Sequence, residues 1–248
     1  MIGKLLMGAA IAMTLAPVAP AATTATPAAA LGDAEHIKLA NELTGVLNSE
    51  ALLRAQVSKM LDDTLPKTFA ASPDFAALER EHPGVTKAMT DAMRPIILSG
   101  TLTRLPTLTA RLAPLYAQSF TTAELHVLLD FYTSPTGMRV IKAMGEGADF
   151  SRLLGDMVAN NSSTVTTEGV RAGIQSGAAE VIRTATPEDI KAMMALAATD
   201  TGKKMRELAP KIQAASVAWG SEPDPELDAQ LESAVKDAVT KYLGKPKQ

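Results

Sequence analysis

An internal repeat constrains the fold of this chain more than any other feature of its sequence. Residues 120–144 align without a gap on residues 185–209, so that position 120 corresponds to position 185, an offset of 65. The identical pairs are Thr121 with Thr186, Thr136 with Thr201, and Gly137 with Gly202. Because a segment repeated within one chain indicates a repeated structural unit, we expect the two stretches to fold alike.

Each copy starts with the signal for the first turn of a helix. Thr121 and Glu124 lie three residues apart, as do Thr186 and Asp189. A hydroxyl followed three residues later by an acid caps a helix reciprocally, because each side chain bonds to the backbone N–H of the other residue. The spacing therefore predicts a helix that begins at each of these threonines.

A second helix is predicted to follow after a short turn in each copy. Ser134 and Thr199 supply a hydroxyl that can cap it. Gly137 and Gly202 then fall in its first turn, although a glycine there costs up to about 1 kcal/mol of helix propensity relative to alanine. We infer that these glycines permit a close approach of two helix backbones, and that each copy is a helical hairpin.

The rest of the chain also follows helical spacing. Apolar residues recur every three or four positions, as at Leu43 and Leu47, and no stretch alternates strictly over the length of a strand. Pro95 predicts a kink or an end in the helix that contains it. The sequence therefore predicts an all-α helical bundle containing a duplicated helical hairpin, completed by helices over about 165–183 and 225–242.

The first 21 residues have the three parts of a secretory signal peptide. Lys4 supplies the positive charge, an apolar stretch runs from Leu5 to Leu15, and Ala19-Pro20-Ala21 forms a cleavage site of small residues. We expect cleavage after Ala21 and release of an exported protein. A flexible leader over residues 22–32 and an all-α domain over residues 33–248 are then expected to follow.

Charge and composition argue against nucleic-acid binding and against membrane anchoring. Lys and Arg total 24 against 27 Asp and Glu, and no run of basic residues can neutralise several neighbouring phosphates. The chain has no cysteine to carry a lipid, and no later stretch of about 18 consecutive apolar residues. We therefore expect no nucleic-acid partner, no transmembrane segment and no lipid anchor.

The first copy, together with the aromatic residues just before it, resembles the signature of a bacterial family. The matching positions are Tyr116, Phe120, Thr121, Glu124, Leu125, Phe131, Tyr132, Ser134, Pro135 and Gly137. Over residues 116–144 this pattern is similar to the exported helical domain of unknown function 2059. The resemblance implies an all-α domain in the envelope of Gram-negative bacteria, which corresponds to a periplasmic location. It implies no activity.

The resemblance is not uniform along the chain. It is good over residues 85–160 and weak over residues 165–248, which we interpret as a diverged second half. Leu196-Ala197 stands in the second copy where the first has Phe131-Tyr132. Any function of the aromatic pair would therefore belong to the first copy alone.

Histidines and acids form only incomplete metal-binding patterns. Glu79 and His82 have the Glu-x-x-His spacing of di-iron bundles, but those proteins need this motif twice. His126 and Asp130 lie one helical turn apart, which supplies two of the three or four ligands that a metal site needs. We expect no metal and no cofactor.

Signatures of catalysis are incomplete as well. The chain has no cysteine nucleophile, and Ser233 and Lys236 match a Ser-x-x-Lys pattern whose companion motifs are missing. Glu124 is the one acid in the family motif, and its capping distance from Thr121 explains its presence without catalysis. The sequence therefore favours a protein that is not an enzyme.

Aromatic residues are the candidate binding positions. Phe131 and Tyr132 are adjacent, so on a helix their side chains point about 100° apart, and one of them can face a partner. We assign Tyr116, Phe131 and Tyr132 as candidate binding residues, and the alternative is that they form an ordinary bundle core. Additional soft apolar surface in the second copy is expected from Met193, Met194 and Met205.

Two binding functions compete at this point. In the first, the protein contacts another envelope protein through the surface around Phe131 and Tyr132. In the second, it carries an apolar small molecule or a lipid in a groove between the two hairpins. A cell-wall hydrolase that uses Glu124 is the third and least favoured hypothesis.

Overall fold

The computed structural model describes residues 34–159 and 166–244. The expected signal peptide and leader lie outside the described residues. Within the described ranges the chain is helical and forms no strand, which confirms the all-α prediction. The helices are α1 (Ala34–Leu47), α2 (Glu50–Lys59), α3 (Leu65–Ala71), α4 (Pro73–Glu81), α5 (Val85–Ser119), α6 (Thr122–Thr133), α7 (Pro135–Gly147), α8 (Ser151–Ala159), α9 (Thr167–Thr184), α10 (Pro187–Ala198), α11 (Asp200–Gly220) and α12 (Pro225–Leu243). A short π-helical segment, Met60–Thr64, joins α2 to α3.

Most predicted boundaries are close to the observed ones. The helices expected over about 165–183 and 225–242 are α9 and α12. The start of α12 is fixed by Asp224, whose Oδ1 accepts a hydrogen bond of 3.0 Å from the backbone N–H of Leu227. Helix α12 therefore begins where its capping residue predicts.

Of the two alternatives predicted at Pro95, a kink or an end of the helix, the end is wrong. Helix α5 runs for 35 residues and contains Pro95, Pro106 and Pro114. Each internal proline removes one backbone hydrogen bond and costs about 3 kcal/mol or more. The helix persists because α1, α11 and α12 all pack along it, so that burial of its apolar side chains offsets the lost hydrogen bonds.

Two apolar cores hold the bundle together. The first core joins the π-helical segment and the start of α5 to α7, α8, α9 and α12, and its centre includes Leu61, Met93, Val140, Leu153, Val170 and Leu231. The second core joins α1 and the end of α5 to α6 and α11, and its centre includes Leu43, Leu112, Tyr116, Phe120, Leu125, Leu128, Tyr132 and Trp219.

The packing crosses over between the two halves of the chain, which we define as α5 to α8 and α9 to α12. Helix α7 of the first half packs on α9 of the second, and α11 of the second half packs on α5 of the first. The following helices do the same, since α8 packs on α9 and α12 packs on α5. The last two helices of each half therefore pack on the first helix of the other half, which is α9 for α7 and α8, and α5 for α11 and α12.

The described part of the chain has no helix that is both long enough and apolar enough to cross a membrane.

Candidate functional site

The two hairpins begin with the same reciprocal caps. In α6, Glu124 N donates to Thr121 Oγ1 over 3.3 Å, and Thr121 N donates to Glu124 Oε2 over 2.8 Å. In α10, Asp189 N donates to Thr186 Oγ1 over 3.1 Å, and Thr186 N donates to Asp189 Oδ2 over 3.2 Å. Both capping boxes are confirmed.

The two turns are built alike as well. Ser134 Oγ accepts from Gly137 N over 3.1 Å, and Thr199 Oγ1 accepts from Gly202 N over 3.0 Å. A Cβ atom at Gly137 would overlap the carbonyl oxygen of Phe131, and a Cβ atom at Gly202 would overlap that of Leu196. Only glycine allows the two helices of each hairpin to approach this closely, which confirms the prediction made for both positions.

Reciprocal ion pairs connect the two hairpins. Asp189 on α10 is paired with Arg139 on α7, and Glu124 on α6 is paired with Lys204 on α11 at 2.8 Å. Glu124 and Asp189 occupy equivalent positions in the alignment of the two segments, and so do Arg139 and Lys204, because both pairs of positions differ by the offset of 65. The acid that caps each hairpin therefore binds the base of the other.

Both acids are held in their ionised form. Hydrogen bonds from Arg139 and Thr136 hold the pKa of Asp189 well below its ordinary value, and the Thr136 hydroxyl lies 2.7 Å from Asp189 Oδ1. Burial raises the pKa of Glu124, but hydrogen bonds from Lys204 and Thr121 outweigh burial and lower it overall. A general acid must hold a proton near neutral pH, so this arrangement suits Glu124 to capping and ion pairing.

The aromatic residues lie in the second core. Tyr116 and Tyr132 are buried, and Phe131 is half-buried with its ring edge-on to Tyr132 at a centroid distance of 5.1 Å. Burial raises the pKa of Tyr132 to about 12. The expectation that Phe131 and Tyr132 form an exposed surface is therefore wrong for Tyr132, because this side chain packs between α6 and its neighbours. Binding by these residues stays a prediction, and for the buried Tyr116 and Tyr132 it requires a ligand inside the bundle.

Two of the candidate metal-binding residues, Glu79 and His126, have structural partners. Glu79 accepts hydrogen bonds from the backbone N–H groups of Gly84 (2.6 Å) and Thr86 (3.1 Å), so its carboxylate caps the start of α5. His126 lies 3.6 Å from Glu35 on the surface. Among residues 34–159 and 166–244, no group of three or more metal-binding side chains is found.

One polar contact that the sequence analysis missed fixes α1. His36 is buried, and its Nε2 lies 2.8 Å from the carbonyl oxygen of Ala117, while its Nδ1 lies 3.1 Å from Thr122 Oγ1. Because a carbonyl oxygen only accepts, Nε2 carries a hydrogen and donates it to Ala117. His36 thereby anchors α1 at the junction of α5 and α6.

The hairpins differ in what covers them. Helix α1 packs along α6, whose residues Leu125 and Leu129 are 0% and 6% exposed. Their equivalents on α10, Ile190 and Met194, are 40% and 67% exposed. Asp189 is the one fully buried residue recorded for α10. The second hairpin therefore presents to solvent the face that the first hairpin buries.

The neighbouring helix α9 also carries an exposed apolar residue. Ile182, near the end of α9, is 73% exposed; it lies 65 residues after the buried Ala117 of α5, and both positions are three residues before the aligned segments. We call Ile182, Ile190 and Met194 the uncovered face. Of the methionines expected to add apolar surface, Met194 does so, Met193 is half-buried, and Met205 is buried in the second core, which corrects its assignment.

A separate open cleft lies where α3 and α4 approach α8. Its volume is about 460 Å³, and its lining residues are Lys67, Thr68, Ala71, Ser72, Pro73, Asp74, Ser151 and Gly155. It lies apart from the two hairpins, so it is not the groove between them that the carrier hypothesis requires.

A comparison with protein families supports the resemblance found in the sequence. No curated protein and no solved structure matches the chain. The family model that matches is described as "Uncharacterized protein conserved in bacteria (DUF2059)", and the match covers residues 106–148. Those residues span the last part of α5, the whole first hairpin and its capping box. The match therefore falls on the first hairpin and the last part of the helix that leads into it.

Proposed function

We propose that this protein is an exported, non-catalytic binding protein of the bacterial envelope, and that it holds a protein partner through the uncovered face. The observation that carries the proposal is the contrast between equivalent residues. Leu125 and Leu129 are buried, whereas Ile190 and Met194 remain 40% and 67% exposed. Large apolar side chains grouped on a surface are typical of interaction sites.

The chemistry of the uncovered face suits a protein partner. Methionine is flexible and polarisable, so Met194 can adapt to the shape of an apolar surface. Charged side chains border the face, because Glu188 and Lys191 are exposed on the same helix. An apolar centre with a charged border is the usual organisation of a protein interface.

The proposed location rests on the first 21 residues. Lys4, the apolar stretch from Leu5 to Leu15 and the small residues before Ala22 form a complete export signal. We place the mature protein in the periplasm, where its partner would be another envelope protein. Mass spectrometry of the protein purified from its host tests this, because a chain that starts at Ala22 is expected.

Cross-linking through position 194 tests the binding function. The chain has no cysteine, so Met194→Cys introduces a single thiol at the most exposed α10 residue of the uncovered face. Asp237→Cys, on the exposed side of α12, is the matched control. Treatment of the host's periplasm with a thiol-reactive cross-linker is expected to give a defined adduct with the first variant only. Equal adducts from both variants, or none from either, would refute the proposal.

The carrier hypothesis stays a prediction with a separate test. It requires an apolar ligand between the hairpins, where the structure shows the Asp189–Arg139 and Glu124–Lys204 ion pairs. Native mass spectrometry of the mature protein, purified gently from its host, would detect a retained lipid or small molecule. Such an adduct would favour the carrier function over protein binding.

A further inference from the structure

The first hairpin shows what kind of structure fits the uncovered face. Helix α1 lies along α6 and supplies a row of buried apolar residues, Leu39, Leu43 and Leu47, at every fourth position. The corresponding side of α10 keeps its apolar character at Ile190 and Met194 but has no such helix over it in the described chain. We infer that the partner lays an amphipathic helix along α10 in the manner of α1 on α6, an inference that rests on the proposed function.

The apolar requirements of this partner helix follow from the equivalent contacts. Leu125 and Leu129 lie one turn apart beneath α1, and Ile190 and Met194 lie one turn apart on α10. A row of leucines spaced four apart matches such a pair, because residues at i and i+4 lie on the same side of a helix. The partner helix therefore carries an apolar row with this spacing.

The charge requirement follows from the first turn of α1. Glu35 lies 3.6 Å from Nε2 of His126, and the residue equivalent to His126 on α10 is Lys191, which is exposed. Lysine is a cation throughout the physiological pH range, whereas histidine is charged only when protonated. The partner helix therefore has an acidic residue in its first turn, directed at Lys191.

A backbone acceptor also recurs at the corresponding position. His36 of α1 donates to the carbonyl oxygen of Ala117, which lies in the last turn of α5. The equivalent carbonyl belongs to Ile182 in the last turn of α9, where helix carbonyls lack an intrahelical partner. The Thr122 hydroxyl is not repeated, because Pro187 takes its place. A hydrogen-bond donor in the first turn of the partner helix would therefore satisfy the carbonyl oxygen of Ile182 at the end of α9.

A peptide with the sequence of α1 tests the inference. The probe is a synthetic peptide of residues 33–48 with a lactam bridge between Lys38 and Glu42, which are exposed and four residues apart. The bridge is needed because isolated helices of this length are marginally stable in water. We expect the labelled peptide to bind the mature protein saturably, with binding complete at protein concentrations below about 500 µM, as measured by fluorescence anisotropy.

Variants of the protein identify where the peptide binds. Met194→Glu is expected to weaken binding at least about tenfold, which corresponds to 1.4 kcal/mol. Met138→Glu is the control, since Met138 is an exposed methionine on α7 outside the uncovered face. Reversing the charge in the peptide at Glu35 (Glu35→Lys) is expected to weaken binding as well, because it faces Lys191. Circular dichroism verifies that both protein variants are folded.

Several results would overturn the inference. These are the absence of saturable binding, equal weakening by Met194→Glu and Met138→Glu, and self-association of the chain through position 194 in sedimentation experiments. The cross-linking experiment is independent of this peptide. If position 194 captures an envelope protein but the peptide does not bind, the proposed function stands and the helical partner is wrong.

Discussion

Replacing Gly137 by alanine is expected to destabilise this protein, although alanine is the better helix former. Alanine gains up to about 1 kcal/mol of helix propensity over glycine. However, the new Cβ atom would overlap the carbonyl oxygen of Phe131 and lie 2.6 Å from the Cα atom of Tyr132. Both are backbone atoms, so no side-chain rotation relieves the overlap, and the two helices of the hairpin must separate.

The size of the effect follows from these opposing contributions. Overpacking typically costs about 1–3 kcal/mol, and a clash with rigid backbone lies at the upper end of that range. After subtracting the propensity gain, we expect a net loss of about 2 kcal/mol in the free energy of unfolding. For a protein of this size, that loss lowers the melting temperature by about 4–8 °C.

Two matched substitutions make this prediction specific. Gly202→Ala is expected to lower stability by a similar amount, because its Cβ atom would overlap the carbonyl oxygen of Leu196 in the same way. Gly45→Ala is expected to raise stability by up to about 1 kcal/mol, since a Cβ atom on this exposed part of α1 meets no atom within 4 Å in the described structure. Urea unfolding, followed by circular dichroism and by the fluorescence of the single tryptophan, Trp219, measures all three. A neutral or stabilising Gly137→Ala would refute the close-approach argument.

Three further predictions concern the core and the ion pairs. Tyr116→Phe is expected to leave the free energy of unfolding unchanged or to raise it by up to about 1–3 kcal/mol, because the buried hydroxyl has no hydrogen-bond partner among the described residues. A clear loss of stability in calorimetry would show that the hydroxyl is hydrogen-bonded. The pKa values of Glu124 and Asp189 are lower in the folded state than in the unfolded state, so the unfolded state binds more protons as the pH falls. The stability that these two acids supply is therefore present above about pH 4–5 and is lost as the pH falls further. The double variant Glu124→Gln/Asp189→Asn should therefore flatten the acid side of the stability profile in urea titrations, and an unchanged profile would contradict the assignment. Glu124→Gln alone is expected to cost about 1 kcal/mol of stability, because it weakens the helix cap and the partly exposed ion pair with Lys204. If this variant instead folds normally and loses a cell-wall-degrading activity, the result would support the hydrolase hypothesis.

The local features of the fold could be predicted from the sequence to within a residue. The caps at Thr121 and Thr186 and the glycines at 137 and 202 are decided by side chains and backbone within one or two turns. Such short-range interactions leave a readable spacing in the chain. Pro95 is the exception, because the packing of three helices along α5 outweighs the local cost of a proline.

The candidate site could not be predicted in the same way. Leu125 and Ile190 are equivalent apolar residues, and nothing in their local sequence shows that only the first lies beneath α1. The spacing of Phe131 and Tyr132 gave the angle between them but not which one is buried. Both properties depend on which helix packs over the hairpin, and α1 lies more than 70 residues before α6 in the chain.

The crossed packing of the two halves sets the order in which this protein can fold during synthesis. Helix α5 ends at Ser119, but α12, which packs along it, begins only at Pro225. At about 5–20 residues per second, α5 waits on the order of 5–20 s for that partner. Until then Met93 and Ile97 lack the contacts of the first core with Leu227 and Leu231. The unfinished chain therefore leaves this side of α5 uncovered while residues 120–224 are synthesised, and a late truncation that removes α12 exposes the middle of the protein rather than its end.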